Sequence, residues 1–468
     1  MPSVCISESH PLGPRAEIVR LPLVTVYIPE VFTDDEAAVL RPYFSNLDGP
    51  VFALVNLPEV VKGALFARYS RSPKSLRRLF LDEFVQDLDV SGDRSVDASV
   101  GLDKAERLYD KVFLEYGDDS VAQLGAVHLA CEQASNLLTK ILEWGRLMSY
   151  LEQSTRYISY DARLGGYEAL LLRMRANPLP EARHYADLML TELRKVIPSF
   201  LKRVDLADRG GRWSEYLAER HDATMTSVDD LFGAIEPDST EEVVLVDFDP
   251  DGENKVLAAL CYPHSQLPES QLLAQVSKLS DTQKMELFES YVGTRENRRH
   301  KPGRAFERTG YRFDVLGDYG AFRDLQRHRM LTIEWQRLTP DHGFVMPELV
   351  EAAGCGPAFT DAMDRSRELY EALRPEYPEQ AAYAISMAYR LRYAMQFNAR
   401  EAMHMLELRT APQGHPSYRR VALEMYRQIG EVAGHRALAA AMTHITTEAP
   451  ELERLDSERR AEERRKQG

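Results

Sequence analysis

The spacing of apolar residues is what most limits the fold of this chain. Through residues 103–160 they return every three or four positions, as in VAQLGAVHLACEQASNLLTKILEWGRLMSYLEQ. No stretch approaches the roughly 18 uninterrupted apolar residues that cross a bilayer. That period predicts long helices with one buried face. Helices are also predicted over 34–84, punctuated by Pro58 and Pro73, and over 180–203, 357–373, 378–410 and 416–445. Strand signals are fewer: VRLPLVTVYI at 19–28, and EVVLVDFDPDGENKVLAALCY, read as a strand with an Asp/Gly turn. The 468 residues suffice for two to four units at roughly 100–200 residues each. The expected fold class is α/β, with two helix-rich halves, each carrying a small sheet. Histidine, Ser, Gln and Pro accumulate near 264–285, which sets expected units of 1–264 and 265–450 and a charge-dense tail at 451–468.

Charge decides which partners to expect. The formal net charge is −15, which disfavours a general nucleic-acid binder or an anionic-membrane binder, since both need a basic face. Any anion site must be a local basic pocket. Four well-separated cysteines, Cys5, Cys131, Cys261 and Cys355, form no CxxC pair and suit a reducing cytosol. The amino terminus lacks the pattern of a secretory leader, so a cytoplasmic location is expected.

The local basic pocket has a candidate. Residues 295–329 hold ten Arg or Lys against five acids. Arginine's planar fork suits phosphate, yet on charge alone a solvated basic face is an equal alternative. Within this stretch Arg327-His328-Arg329 could hold a diphosphate or a flavin ring. Arg146, Ser149, Gln153 and Arg156 would share one face if helical, and a solvated stripe is the commoner outcome for such a row. A third cluster, MQFNAREAMHMLELR, places Arg400, His404 and Glu407 on one helical face, with Asn398 and Arg409 at its ends. Its methionines read as core filler. The polar face, if buried, needs partners that a ligand could supply. Nucleotide-binding, metalloprotease and nucleophile-elbow signatures are absent, no cysteine sits in a nucleophile's setting, and no metal site is expected.

The two halves also echo one another. Ser120 to Arg146 and Arg304 to Arg329 are similar spans, each final Arg preceding a hydroxyl residue by three positions. Together the fragments resemble the flavin-dependent thymidylate synthases (ThyX), whose signature is RHRxxSxNExSxRY. The first half matches its end at Arg146, Ser149, Glu152, Ser154, Arg156 and Tyr157, with Trp144, Gly145 and Leu151 in place of the first Arg, the His and the Asn. The second half has Arg327, His328 and Arg329 and then departs at Glu334 and Trp335. Gly117-Asp118-Asp119-Ser120 resembles the family's GHxS, with Asp for His. Asn398, Arg400 and Arg409 match its NxR element and the Arg nine residues on. The likeness covers about residues 50–160 and 295–430.

The resemblance implies an enzyme that makes dTMP from dUMP with FAD, using NADPH and methylenetetrahydrofolate as co-substrates. It implies flavin contacts from Arg327, His328, Arg329, Asn398, Arg400, His404 and Ser120. It implies dUMP contacts from Arg146, Glu152, Ser154 and Arg156, with Arg409 polarising the uracil. Family sites are built from several subunits of a homotetramer. A tandem chain with complementary losses is therefore expected to form a homodimer that mimics the tetramer. Other outcomes compatible with the split signature are C5 alkylation of UMP or another uracil nucleotide, and nucleotide or flavin binding without turnover.

Overall fold

In the computed structural model the described residues are 27–84 with breaks between 58 and 71, 127–144, 149–153, 180–208 with breaks after 196, and 212–447. They form two antiparallel sheets among many helices, a helix-rich α/β fold. In the smaller sheet β1 (Val51–Leu54) pairs with β2 (His128–Cys131), Val51 opposite Cys131. Helices Asp34–Leu40 and Leu76–Glu83 cover it through Leu40, Leu76, Leu79 and Phe80, all buried.

The larger sheet contains β3 (Val243–Phe248), β4 (Gly310–Asp318), β5 (Thr332–Trp335) and β6 (Arg390–Asn398), in the order β3-β4-β6-β5. Strands β4 and β6 alternate cleanly. Tyr311, Phe313 and Val315 face the same core as Leu391, Tyr393, Met395 and Phe397. Period-two alternation of this kind buries one sheet face, and each large side chain contributes about 1.5–3 kcal/mol of gross transfer energy.

Both strands run directly into helices. Asp318 Oδ1 accepts Ala321 N at 2.8 Å and starts the helix Tyr319–Gln326. Asn398 Oδ1 accepts Glu401 N at 2.9 Å and starts the helix Ala399–Arg409. Each cap is worth about 1 kcal/mol. The ladder places Gly310 opposite Asn398 and Asp318 opposite Arg390. The two helices therefore leave opposite ends of one antiparallel pair and return over it.

Three predicted helical stretches contain strands or irregular segments: within 34–84, residues 51–54 form β1, paired across the small sheet. Residues 128–131 form β2, because a four-residue apolar run pairs as readily as it coils. The predicted helix 378–410 is instead β6 followed by a helix from Ala399, the alternation of RLRYAMQFN overriding the methionine periodicity. Residues 149–153 are irregular, so the proposed common helical face of Arg146, Ser149, Gln153 and Arg156 is not formed there. Conversely, after the strand Val243–Phe248, the segment Gly252–Cys261 is helical. That strand and helix pack Val243, Val256 and Leu257 into the core that holds Phe313. The strand Val243–Phe248 also pairs with β4 of the sheet that precedes the RHR triplet. The predicted strand up to residue 26, the helices over 103–126 and the tail 451–468 lie outside the described residues.

Candidate active site at the seam

The triplet Arg327-His328-Arg329 occupies the turn between the helix Tyr319–Gln326 and β5. His328 is buried and its two neighbours are exposed. Its ring is held from both sides. Arg409 Nε donates to His328 Nε2 at 2.9 Å, and His328 Nδ1 lies 3.1 Å from Glu401 Oε1. Because Nε2 must offer a lone pair to a guanidinium, the proton sits on Nδ1 and is donated to Glu401. Burial, reinforced by the Arg409 charge, pushes the imidazole down to about 4. His328 is therefore a neutral group beside two arginines.

Glu401 has a second partner, His404 Nδ1 at 3.3 Å, and the two imidazoles meet edge to face at 5.3 Å. Burial raises the Glu401 carboxyl, but the hydrogen bonds from His328 and His404 outweigh it and hold the group at about 2. The three residues bring potential ligand atoms within 4.8 Å of one another. The tautomer argues against a cation there, since His328 Nδ1 carries the proton and has no lone pair to give a metal. Arg409 spends Nη2 on the Asp324 carbonyl, places Nη1 3.5 Å from Asp324 Oδ1 and lies over the Tyr418 ring.

The amino-terminal part of the chain closes this wall. Glu152 accepts from Arg327 Nη2 at 2.8 Å, from Thr139 Oγ1 at 3.0 Å and from Arg323 Nη2, with Lys140 Nζ at 3.5 Å. Burial raises this carboxyl too, and Lys140, Arg323 and Arg327 override it to hold it at about 2. Lys140 also binds Glu143 at 2.9 Å. Arg329 Nη1 lies 3.3 Å from Ser149 Oγ. Gln326 Nε2 donates to Lys140 O, and Trp144 Nε1 to Ile333 O. A cavity of about 130 Å³ lies in the seam, between Trp144, Glu143, His328, Arg329 and Thr332. At roughly 30 Å³ per water it holds only a few molecules.

Eight expected site residues are thus described, Glu152, Arg327, His328, Arg329, Asn398, Arg400, His404 and Arg409. Arg409, His328 and His404 are joined through Glu401, Glu152 is joined to Arg327, and Arg329 reaches Ser149. Asn398 serves as the helix cap. Arg400, one turn before His404, donates to Pro302 O at 3.2 Å and faces Glu307 at 3.7 Å. Ser120, Arg146, Ser154 and Arg156 lie outside the described residues. Glu401, Arg323 and Lys140 were missed as site residues. Asn398-x-x-Glu401 is a helix-start pattern that could have flagged Glu401. Nothing in the sequence links Lys140 to Glu152.

One antiparallel strand pair thus feeds both helices that hold the Arg-His-Arg triplet. Residues 244–434 match the family model described as thymidylate synthase complementing protein. A UPF0159 protein of Chlamydia muridarum is 32% identical, over 92% of this chain and 98% of its own length. One from Chlamydia pneumoniae is 33% identical over 86% and 93%, and one from Thermoplasma acidophilum 27% over 85% and 97%. The chain belongs to the UPF0159 family, which is related to ThyX. Among solved structures, the UMP/dUMP methylase PolB of Streptomyces cacaoi bound with 5-Br dUMP is 20% identical, with a TM-score of 0.35, covering 42% of this chain and 94% of that one. ThyX of Helicobacter pylori complexed with FAD and dUMP is 19% identical, with a TM-score of 0.30, over 40% and 92%. No helix among the described residues is long and apolar enough to cross a membrane.

Proposed function

We propose that this chain is a flavin-dependent uracil-nucleotide methylase that converts dUMP to dTMP. One observation carries the reading. Glu152, from the segment that resembles the nucleotide half of the signature, is ion-paired with Arg327 of the flavin triplet within a single chain. The two partial signatures thus supply one wall between them.

The donor set fits an anionic dinucleotide. Arg327, Arg329 and Arg400 offer charge, and half-buried His404 offers an imidazole beside the buried, neutral His328 ring. These residues, with Asn398 and Ser120, would hold FAD, which supplies reducing equivalents taken from NADPH. Methylenetetrahydrofolate would supply the carbon. Arg146, Glu152, Ser154 and Arg156 would hold the nucleotide. Arg409 has one arm to give, because its Nη1 contact to Asp324 is its longest. A guanidinium directed at the uracil stabilises negative charge on the base and makes C5 nucleophilic without a covalent enzyme adduct. Two of the described cysteines, Cys131 and Cys261, are ill suited to such an adduct. Burial raises the Cys131 thiol to about 12 and pushes Cys261 up as well.

Ligand pockets generally enclose about 300–1,000 Å³. The seam cavity is smaller, so a nucleotide must widen it to enter. We place the enzyme in the cytosol, as a homodimer in which each chain contributes one complete site. Equal numbers of FAD and chains fit that assembly, and two FAD per chain would exclude it.

The deciding experiment is tritium release from [5-³H]dUMP with FAD, NADPH and methylenetetrahydrofolate. Release that disappears in Arg409→Ala supports the assignment. Release from dUMP suppressed by UMP would shift the substrate towards the ribonucleotide. Bound flavin without release from either nucleotide would sink the methylase reading and leave a binding protein.

A further inference from the structure

The basic stretch begins at Arg295, and its first seven residues have no part in the wall described above. Arg295 is buried and saturated. It makes a two-pronged pair with Glu407, Nη1 to Oε1 at 2.5 Å and Nη2 to Oε2 at 2.7 Å. Nη1 also donates to Ala441 O at 2.8 Å, and Nε to His300 O at 2.5 Å. One guanidinium therefore ties a loop's start and its end to the helix Ala399–Arg409. Gly293, with φ +61°, lets the chain leave the preceding helix for this loop. Asn297 Oδ1 accepts Arg299 N at 2.9 Å and tightens the turn. Beyond it, the Pro302 carbonyl accepts from Arg400.

The clamp crowds cations together. Arg298 and Arg299 are exposed and Lys301 is half-buried, and among the described residues none of the three makes an ion pair. Burial, with Arg400 and Arg298 nearby, holds the Lys301 ammonium below its ordinary value despite the Glu401 and Glu407 charges. Beyond its bond to Pro302 O, Arg400 has a 3.7 Å contact to Glu307 as its ion pair. Like charges gathered on a clamped loop, in a chain of net charge −15, are stabilised when an anion bridges them. The neighbouring charge on Glu401 is turned inward, to His328 and His404. The loop is thus tied to the helix that carries Glu401 and His404.

We propose that the loop Arg295–Lys301 is a phosphate-binding arm, in which Arg298 and Lys301 act with Arg400 on the diphosphate of a dinucleotide whose ring rests on the His328–His404 wall. Arg295 is the positioning residue that holds the arm. The assignment rests on the flavin reading above. A diphosphate matches three cations better than a ring alone does, so the arm selects FAD over flavins lacking the second phosphate.

The test is flavin-fluorescence titration of the full chain, freed of bound flavin, with FAD, FMN and riboflavin. Wild type should prefer FAD. Arg298→Ala, at an exposed site, and Lys301→Ala, with its unfolding midpoint checked, should each weaken FAD about tenfold, as the loss of a charge-assisted contact implies. Riboflavin affinity should not change, and the salt dependence of FAD binding should flatten. Arg295→Lys, with its unfolding midpoint checked, should shrink the FAD-to-riboflavin preference, a readout that a merely structural role would not move. Wild-type affinity for FAD in both alanine variants would overturn the arm, as would a wild type that binds riboflavin as well as FAD. A wild type that binds no flavin would instead overturn the flavin reading itself, and the arm with it.

Discussion

Replacing Glu152 with Gln tests the seam directly. The carboxylate is only 7% exposed and is the shared acceptor for Arg323, Arg327 and Lys140. Glutamine keeps the size but loses the charge, and one of its ends becomes a donor facing cations. Glu143, which pairs with Lys140, would then be left to face the cluster with the more distant Asp324. Removing one partner of a buried pair costs about 3–5 kcal/mol. Arg327 is 38% exposed, so its share is screened by solvent; an overall loss of about 3 kcal/mol is expected. With a urea slope of about 1–3 kcal/mol per molar, the midpoint for opening the seam should fall by about 1–3 M. Tryptophan fluorescence can follow it, because Trp144 and Trp335 meet across the seam at 5.9 Å. Pairing Glu152→Gln with Arg323→Gln in a double-mutant cycle isolates the contact, and a coupling well above 0.5 kcal/mol is expected at this proximity. A midpoint unmoved by Glu152→Gln, or additive single effects, would show that these ion pairs do not hold the two parts of the chain together.

Acidification should weaken the fold through His328. Its folded value, about 4, lies below the ordinary imidazole value of 6.5, so the unfolded chain binds the proton more readily. Its contribution is complete above pH 6.5 and is lost as pH falls towards 4, about 3 kcal/mol in all. Chemical denaturation at several pH values should show this slope, and His328→Asn should remove it. Arg409→Gln should abolish tritium release by at least about a hundredfold, the usual scale for losing a group that stabilises developing charge, while bound FAD is retained; loss of flavin along with activity would assign Arg409 a holding role instead. Tyr311→Phe is the control away from the site. It removes the hydroxyl 2.8 Å from buried His435 Nδ1 and should cost about 1–3 kcal/mol in urea unfolding, with flavin affinity unchanged.

The parts of this site that were legible in the sequence were local. The alternation of RHR put one imidazole inside and two guanidiniums outside because successive residues of a turn leaving a packed helix face opposite ways. The buried methionines Met395, Met403 and Met405 behave as the core filler their spacing suggested. The four-residue strand at 128–131 and the strand–helix junction at Asn398 were misread, because short apolar runs satisfy both periods and only a partner strand decides between them. What the amino-acid order determined by itself is the helix-rich character, the basic stretch and the residue types of the wall. Tertiary structure alone decided that Glu152 lies on Arg327, that Arg409 fixes the tautomer of His328, and that Arg295 reaches Glu407. Each of these joins groups more than 80 positions apart. An ion pair of that kind leaves no periodic mark along a chain, since its partners are brought together by the packing of separate elements.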